Sequence, residues 1–417
     1  MRTTFLPILL FAFVASGCAH GVVSSPLPAY VPAASAARAG AVVPYRILYS
    51  FRGAPDGATP EAGLLAVNGV VYGTTYGGGI VSGCSSGSGS GCGTVFRVRL
   101  SGTERIIHRF GNGADGANPV AGLIAKAGVF YGTTVNGGAT GNGAVFDVNA
   151  FGAERVLYSF EGSPDGAKPE AALSVLNDTL YGTTYGGGNL GCSGSPSGCG
   201  TAFSVGTSGT ESVIHRFGVR PDGSLPESNL VVMNGVFYGT TLKRTSNEGG
   251  ALCGTGIGCG IVFEMTASGQ ENVLYRFLKR PDGSGPTAGL VVMGGSFYGT
   301  TANGGANGRG TVFEVSTTGV EQVLHSFAGF GDGANPLGRL TAVKGVLYGT
   351  TYNGGKHGMG TLFKITASGV KTILHDFAGG NDGAHPRGGL IASNGVVYGT
   401  TEFGGPNNSG TVFSHLP

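Results

Sequence analysis

The stretch NGVVYGTTYGGG, residues 68–79, followed after a Ser/Gly-rich loop by GTVFRV, residues 93–98, decides the fold. An Asn-Gly pair tolerates positive φ and suits a two-residue hairpin, so GLLAV (63–67) and VVYGTT (70–75) are predicted as adjacent antiparallel strands, here called a and b. GTVFRV makes a third, c. Ser101-Gly102 turns the chain into a fourth, d, at ERIIHRF (104–110).

The same unit runs through the chain. YGTT begins at Tyr72, Tyr131, Tyr181, Tyr238, Tyr298, Tyr348 and Tyr398, spaced 59, 50, 57, 60, 50 and 50 residues apart. A basic unit of 50 residues, with insertions in three copies, is the period of four-stranded propeller blades. Strands a, b and c occur seven times, ending with GTVF at 410–413. Strand d also occurs seven times, but its first copy, YRILYSF at 45–51, precedes every strand a. The last blade lacks a fourth strand and the opening segment lacks a blade. Joining them closes a ring and removes two sheet edges that would otherwise pair with other chains. The predicted fold is therefore all-β, a seven-bladed β-propeller with four antiparallel strands per blade. Strand 45–51 pairs into the last blade.

A blade packed on both faces needs large side chains opposite small ones. Tyr of YGTT, Phe of GTVF and Phe closing strand d supply the bulk. The glycine after the tyrosine supplies the gap, and the threonine hydroxyls can pair across strands or with loops. A seven-fold DGxxP element, from Asp56-Gly57 with Pro60 to Asp382-Gly383 with Pro386, links each strand d to the next strand a. It reads as a turn in which Asp accepts backbone NH groups. One carboxylate per turn is too few ligands for calcium.

Composition excludes some partners. A formal charge of +2 and 12% charged residues, with no Lys/Arg run, lack the footprint of a nucleic-acid binder. The start, MRTTFLPILLFAFVASGCAHG, has Arg2, an apolar run Phe5–Val14 too short to span a bilayer, and small residues before Cys18, as in an export signal. ASGC resembles a bacterial lipobox. That resemblance implies lipidation of Cys18 and, with Ala19 next, an outer-membrane lipoprotein; simple secretion or a periplasmic location is the alternative. Residues 1–18 are the signal, 19–44 a Pro/Ala/Ser-rich tether, and 45–417 the propeller.

Six further cysteines fall as Cys84 with Cys92, Cys192 with Cys199, and Cys253 with Cys259, one pair inside each insertion. In an exported chain this predicts three local disulfides rather than zinc, since two thiols fill only half a tetrahedral site. GNGADG (111–116) matches a dinucleotide fingerprint in letters only, because no helix follows it. GCSSG (83–87) matches a nucleophile elbow, but lies in a stapled insertion. His108, His215, His325 and His375 share a strand d position with tyrosines and are expected to pack. Glu61, Glu170 and Glu227 follow the DGxxP proline in three blades, and nothing in the sequence fixes their separation.

The largest departure from the repeat is TLKRTSNEGGALCGTGIGCG (241–260), which marks Lys243, Arg244 and Glu248 as a candidate ligand-contacting loop. YGTTxxGG…GTVFxV with trailing GxExVLHxF resembles the GloVer repeat of the choice-of-anchor tandem-repeat proteins over residues 45–417, and more distantly kelch. The resemblance implies surface display and a propeller-like repeat, and brings no catalytic residue. The expected function is a monomeric, surface-tethered binding or scaffold module for a glycan or envelope protein, with no cofactor, metal or nucleic acid and with the membrane met only through the lipid. The alternative is a polysaccharide lyase or hydrolase sited at the central mouth. Carboxylate, histidine or arginine side chains converging there from three or more blades favour the enzyme; a bland Thr/Gly/Ser rim favours binding.

Overall fold

The computed structural model describes residues 44–84, 91–111, 113–192, 197–218, 222–244, 259–278 and 280–416. The signal, Cys18 and the tether up to residue 43 lie outside the described residues, as do Glu248 and Cys253. The described residues form seven four-stranded antiparallel sheets, one 3-10 turn (Gly380–Asp382) and no α-helix. In blade one, strand a is Leu65–Val67, b Val70–Thr75, c Thr94–Arg99 and d Glu104–Arg109, in the order a-b-c-d.

The ring closes as the count of strands requires. Tyr45–Ser50 pairs antiparallel with Thr411–His415, running from Tyr45 opposite His415 to Ser50 opposite Thr411. Phe51 N adds a bond to Gly410 O at 2.9 Å. The seventh blade is thus made from both ends of the repeat region, and Thr400 Oγ1 donates across to Ala62 O in blade one at 3.2 Å.

Packing follows the small-against-large rule within each sheet. Gly73 lies opposite Phe96 on neighbouring strands, and a Cβ there would stand 2.7 Å from the Phe96 ring. The fully buried ring lies over the backbone of strand b in the space that glycine leaves. Between blades, Phe51 meets Phe96 edge-on at 4.9 Å, and Tyr72 meets Phe130 at 4.4 Å. Each such ring contributes about 1.5–3 kcal/mol by burial. The threonines behave as expected: Thr75 Oγ1 bonds Thr94 Oγ1 at 2.8 Å, and Thr74 Oγ1 donates to Ala121 O of the next blade at 3.0 Å.

Strand a is shorter than its sequence pattern, three residues rather than five, because the segment before it runs along the crowded axis. A Cβ on Gly388 would lie 2.3 Å from Ala62 O of the adjacent blade. The glycines after YGTT also do more than loop. Gly57–Ala58 pairs with Gly77–Gly78 in a two-residue ladder, and equivalent ladders or single bridges recur in every blade. These tie the DG turn to the chain leaving strand b. Two insertions are stapled as predicted, Cys84–Cys92 and Cys192–Cys199, with Cα atoms 5.2 and 5.4 Å apart; Cys259 is disulfide-bonded. Loops this short gain about 2–3 kcal/mol each in the chain-entropy model.

The DG aspartate is a joint. A β-bulge in each c–d pair re-aims the next strand d side chain towards it. Asp56 accepts Tyr49 OH at 2.7 Å, Arg52 N at 3.0 Å and Gly57 N at 2.8 Å. In other blades histidine replaces the tyrosine, as in His215 with Asp222 (2.9 Å) and His375 with Asp382 (3.0 Å). These histidines are therefore hydrogen-bonded to the turn as well as packed.

The first residue of the next blade's strand d leans on the same aspartate: Glu104 near Asp56, Glu154 near Asp115, Glu211 near Asp165, Glu271 near Asp222 and Glu321 near Asp282. Burial first, and the neighbouring carboxylate second, pushes all five up to about 7. Blade six has Lys371 instead, bonded to Asp332 at 2.7 Å.

Two outcomes are expected. Deleting residues 45–51 should expose the Thr411–His415 edge, lower Tm by about 10 °C or more and produce oligomers; calorimetry and size exclusion read both, and an unchanged melt would contradict ring closure. Secondly, a carboxyl raised above its unfolded value binds a proton in the folded state first, so its stabilisation is complete below about pH 4.5 and is lost as pH rises through about 7. The Tm should be several degrees higher near pH 5.5 than near pH 8. His108 and His415, whose pKa values burial lowers, oppose this trend below about pH 6.5. Glu321→Lys, copying blade six, should remove part of the alkaline loss.

Candidate functional site

The DGxxP turns deliver one residue from each blade to the end of the central channel. After the prolines stand Glu61, Val120, Glu170, Glu227, Thr287, Leu337 and Arg387. All seven line a cavity of about 440 Å³, with Arg339 and Asn229 two residues further on and the leucines just before strand a, such as Leu64 and Leu123.

A second ring comes from the residue after each YGTT. Its backbone NH bonds back to the turn of the same blade: Tyr185 N to Lys168 O at 2.9 Å, Tyr352 N to Asn335 O at 3.0 Å, Glu402 N to His385 O at 3.1 Å. Lys168, Asn335 and His385 all have positive φ, which aims those carbonyls at the strand. The ladder between the DG turn and strand b therefore sets Tyr185, Tyr352 and Glu402 beside the post-proline ring.

The electrostatics are those of one connected cluster. Arg387 Nη1 pairs with Glu61 Oε2 at 3.2 Å, and Arg387 also feels Glu402, Glu227 and Glu170. Burial pushes Glu61 up to about 7, against Arg387 and with help from Glu402 and Glu170. Burial, then Glu170, pushes Glu227 up to about 7. Glu170 and Glu402 are raised by burial too, although Arg387 pulls both down. Burial of the phenol and the nearby carboxylates raise Tyr185, and burial with Glu402 raises Tyr352 to about 12.

Blades one, three, four and seven thus bring four carboxyls and a guanidinium together, which is the convergence stated above as the mark of an enzyme. Yet all four carboxyls move the same way. Acid/base hydrolysis needs one proton-bearing acid and one carboxylate held ionised, with environments that drive the pair apart. Among the described residues no group of three or more His, Cys, Asp or Glu side chains is placed to hold a metal ion.

Of the candidate loop in blade four, Lys243 and Arg244 form a two-residue strand paired with Ser224 and Gly223. The charge of Lys243 acts on Glu227, which places it at the margin of the mouth. Glu248 lies outside the described residues. Glu61, Glu170 and Glu227, noted separately in the sequence, are brought together. Arg387 and Glu402 escaped the sequence reading, although aligning the seven post-proline positions would have shown an arginine in the glutamate column, and the seven post-YGTT positions one carboxylate.

If Arg387 restrains the cluster, Arg387→Met should move the Glu61 titration midpoint above about 7. Carboxyl carbon NMR shifts against pH would show it; an unmoved midpoint would deny the coupling.

Residues 80–255 and 253–417 match the model of the Gloeobacter/Verrucomicrobia repeat. No curated protein matches the chain in sequence. Among solved structures, a puromycin hydrolase is 12% identical over 82% of this chain and 50% of its own, with a TM-score of 0.48. A puromycin-hydrolyzing peptidase of Mycobacterium tuberculosis is 10% identical over 81% and 48%, TM-score 0.44. A gluconolactonase of Xanthomonas campestris is 13% identical over 66% and 79%, TM-score 0.37. The chain spans half or less of the length of the first two of these chains, and the likenesses concern fold alone.

Proposed function

The chain belongs to the Gloeobacter/Verrucomicrobia repeat family, and from that premise we propose that it is an exported binding module that holds a saccharide at the mouth of its central channel. One observation carries the reading: Glu61, Glu170, Glu227, Thr287 and Arg387 from five blades line a cavity of about 440 Å³, and Glu402, Tyr185 and Tyr352 are electrostatically coupled to those carboxyls. Sugar hydroxyls both donate and accept, so they suit a mouth offering carboxyls, a guanidinium and a threonine hydroxyl together. Tyrosine rings offer an apolar body with a polar tip to the faces of sugar rings. A lipid on Cys18, with residues 19–44 as tether, would hold the module at an outer membrane, and Lys243, Arg244 and Glu248 of blade four are proposed to contact the ligand.

A second reading, cleavage of the saccharide, is favoured by the convergence itself and by Glu61 and Glu227 lying near 7, where a general acid works best. Absence of a partner carboxylate held ionised places it behind binding.

One experiment separates the two. The purified chain is screened on a glycan array, and each bound glycan is then incubated in solution and assayed for new reducing ends. Binding lost by about tenfold in Arg387→Ala, without new ends, supports the module. New ends that disappear in Glu227→Gln support cleavage. Binding that survives Arg387→Ala and Glu61→Gln alike would move the site away from the mouth.

A further inference from the structure

The charges at the mouth do not balance. Carboxyls of Glu61, Glu170, Glu227 and Glu402 all act on a single guanidinium, Arg387, whose direct ion pair is with Glu61. The other cations nearby are marginal. Lys168 and Lys243 come after Arg387 in their effect on Glu170 and Glu227, and His385 is the smallest influence on Glu402. Arg339 lines the cavity but is perturbed by burial alone and directs its Nε to Leu290 O at 2.9 Å.

Removing four carboxylates from water beside one cation costs several kcal/mol per ion, and burial raises the pKa of all four. The cluster is short of positive charge. A neutral sugar would leave that shortage unchanged. An acidic one would meet four carboxyls and find the guanidinium already engaged.

A separate observation also points to a ligand. Oγ1 of Thr287 on the cavity wall is buried with no hydrogen-bond partner, and so is Oε2 of Glu402, whose carboxyl is otherwise hydrogen-bonded with Tyr352. The Glu402 carboxyl acts on both Glu61 and Arg387, so it faces the cluster. An unfilled buried acceptor costs about 1–3 kcal/mol, which a bound donor would relieve.

We infer that the mouth selects a saccharide bearing free amines, with its ammonium group received between Glu170 and Glu227 and its hydroxyls by Thr287 and Glu402. Arg387 meanwhile keeps Glu61 engaged. The inference rests on the saccharide reading above. Tyr185, perturbed by both Glu227 and Glu170, stands where a ring carrying that amine would pass.

Calorimetric titration of the full-length chain near pH 6 tests it, with glucosamine tetramer, its fully N-acetylated counterpart and spermidine as probes. The expected result is that glucosamine tetramer binds at least about tenfold more tightly than the acetylated one, and that Glu170→Gln and Glu227→Gln each cut its affinity about tenfold. Both variants should leave Tm unchanged or raised, because each removes a buried ionisable group. Equal affinity for the two tetramers, abolished in Arg387→Ala, would overturn the amine inference and leave the saccharide reading standing. Spermidine binding as tightly as the glucosamine tetramer would keep the ammonium contact and overturn the saccharide reading. Binding by neither tetramer would overturn the inference outright.

Discussion

The pairing of Tyr45–Ser50 with Thr411–His415 is the constraint on which the other features depend. A blade is a small twisted sheet with two apolar faces, and no blade is stable with one of them wet. Stacking seven in a row would leave two faces exposed; bending the row into a ring leaves none. The ring then needs a seal, and a strand carried from the far end of the repeat region provides it with backbone hydrogen bonds that cannot form in an unfolded chain without closing a loop of more than 350 residues. Such a contact has a high entropic cost to form, although that cost grows only slowly with loop length. Once formed it makes each inter-blade contact support the others.

Most of the fold was legible because it repeats. Seven copies of YGTT, GTVF and DGxxP turn weak local signals into strong ones, and the surplus d strand at 45–51 is a matter of counting. The disulfides were legible because each cysteine pair coincides with an insertion. What was not legible depends on contacts between parts of the repeat far apart in sequence. The two-residue ladder between Gly57–Ala58 and Gly77–Gly78 has no propensity signal, since glycine favours neither strand nor turn uniquely. The convergence of Asp56, Tyr49 and Glu104 needs a β-bulge and a neighbouring blade, neither written in any single motif.

Two rings of carboxyls with raised pKa result, and they differ in what surrounds them. Glu104, Glu154, Glu211, Glu271 and Glu321 each lean on one aspartate at a seam between blades, an arrangement repeated so regularly that it is part of the joint. Lys371 shows that the joint also works with opposite charge. Hydrogen bonds from His325 and Lys371 hold Asp332 well below the usual carboxylate range despite burial, which pushes it the other way. Glu61, Glu170 and Glu227 instead break the seven-fold pattern and border open volume, with Glu402 coupled to them through Glu61 and Arg387. Raised pKa values alone would not distinguish the rings; the cavity and the irregularity do.

A symmetric scaffold presents the same surface seven times, so a ligand smaller than the ring can be fixed in one orientation only where the repeat departs from itself. The departures here fall in two places. The insertions alter length, and the described disulfides tie two of them back towards their own blades, which suits a rim. The post-proline column alters charge, running Glu, Val, Glu, Glu, Thr, Leu, Arg around a single opening. Because strand a lies nearest the axis and its leading glycines bring neighbouring backbones almost into contact, changes in that column are concentrated within a few ångströms of one another, whereas changes in the outer loops are spread around the circumference. Evolution of a site on this fold is therefore cheapest at the mouth: single substitutions suffice there to create a polar, asymmetric pocket without disturbing the rings of Phe, Tyr and Thr that hold the blades together.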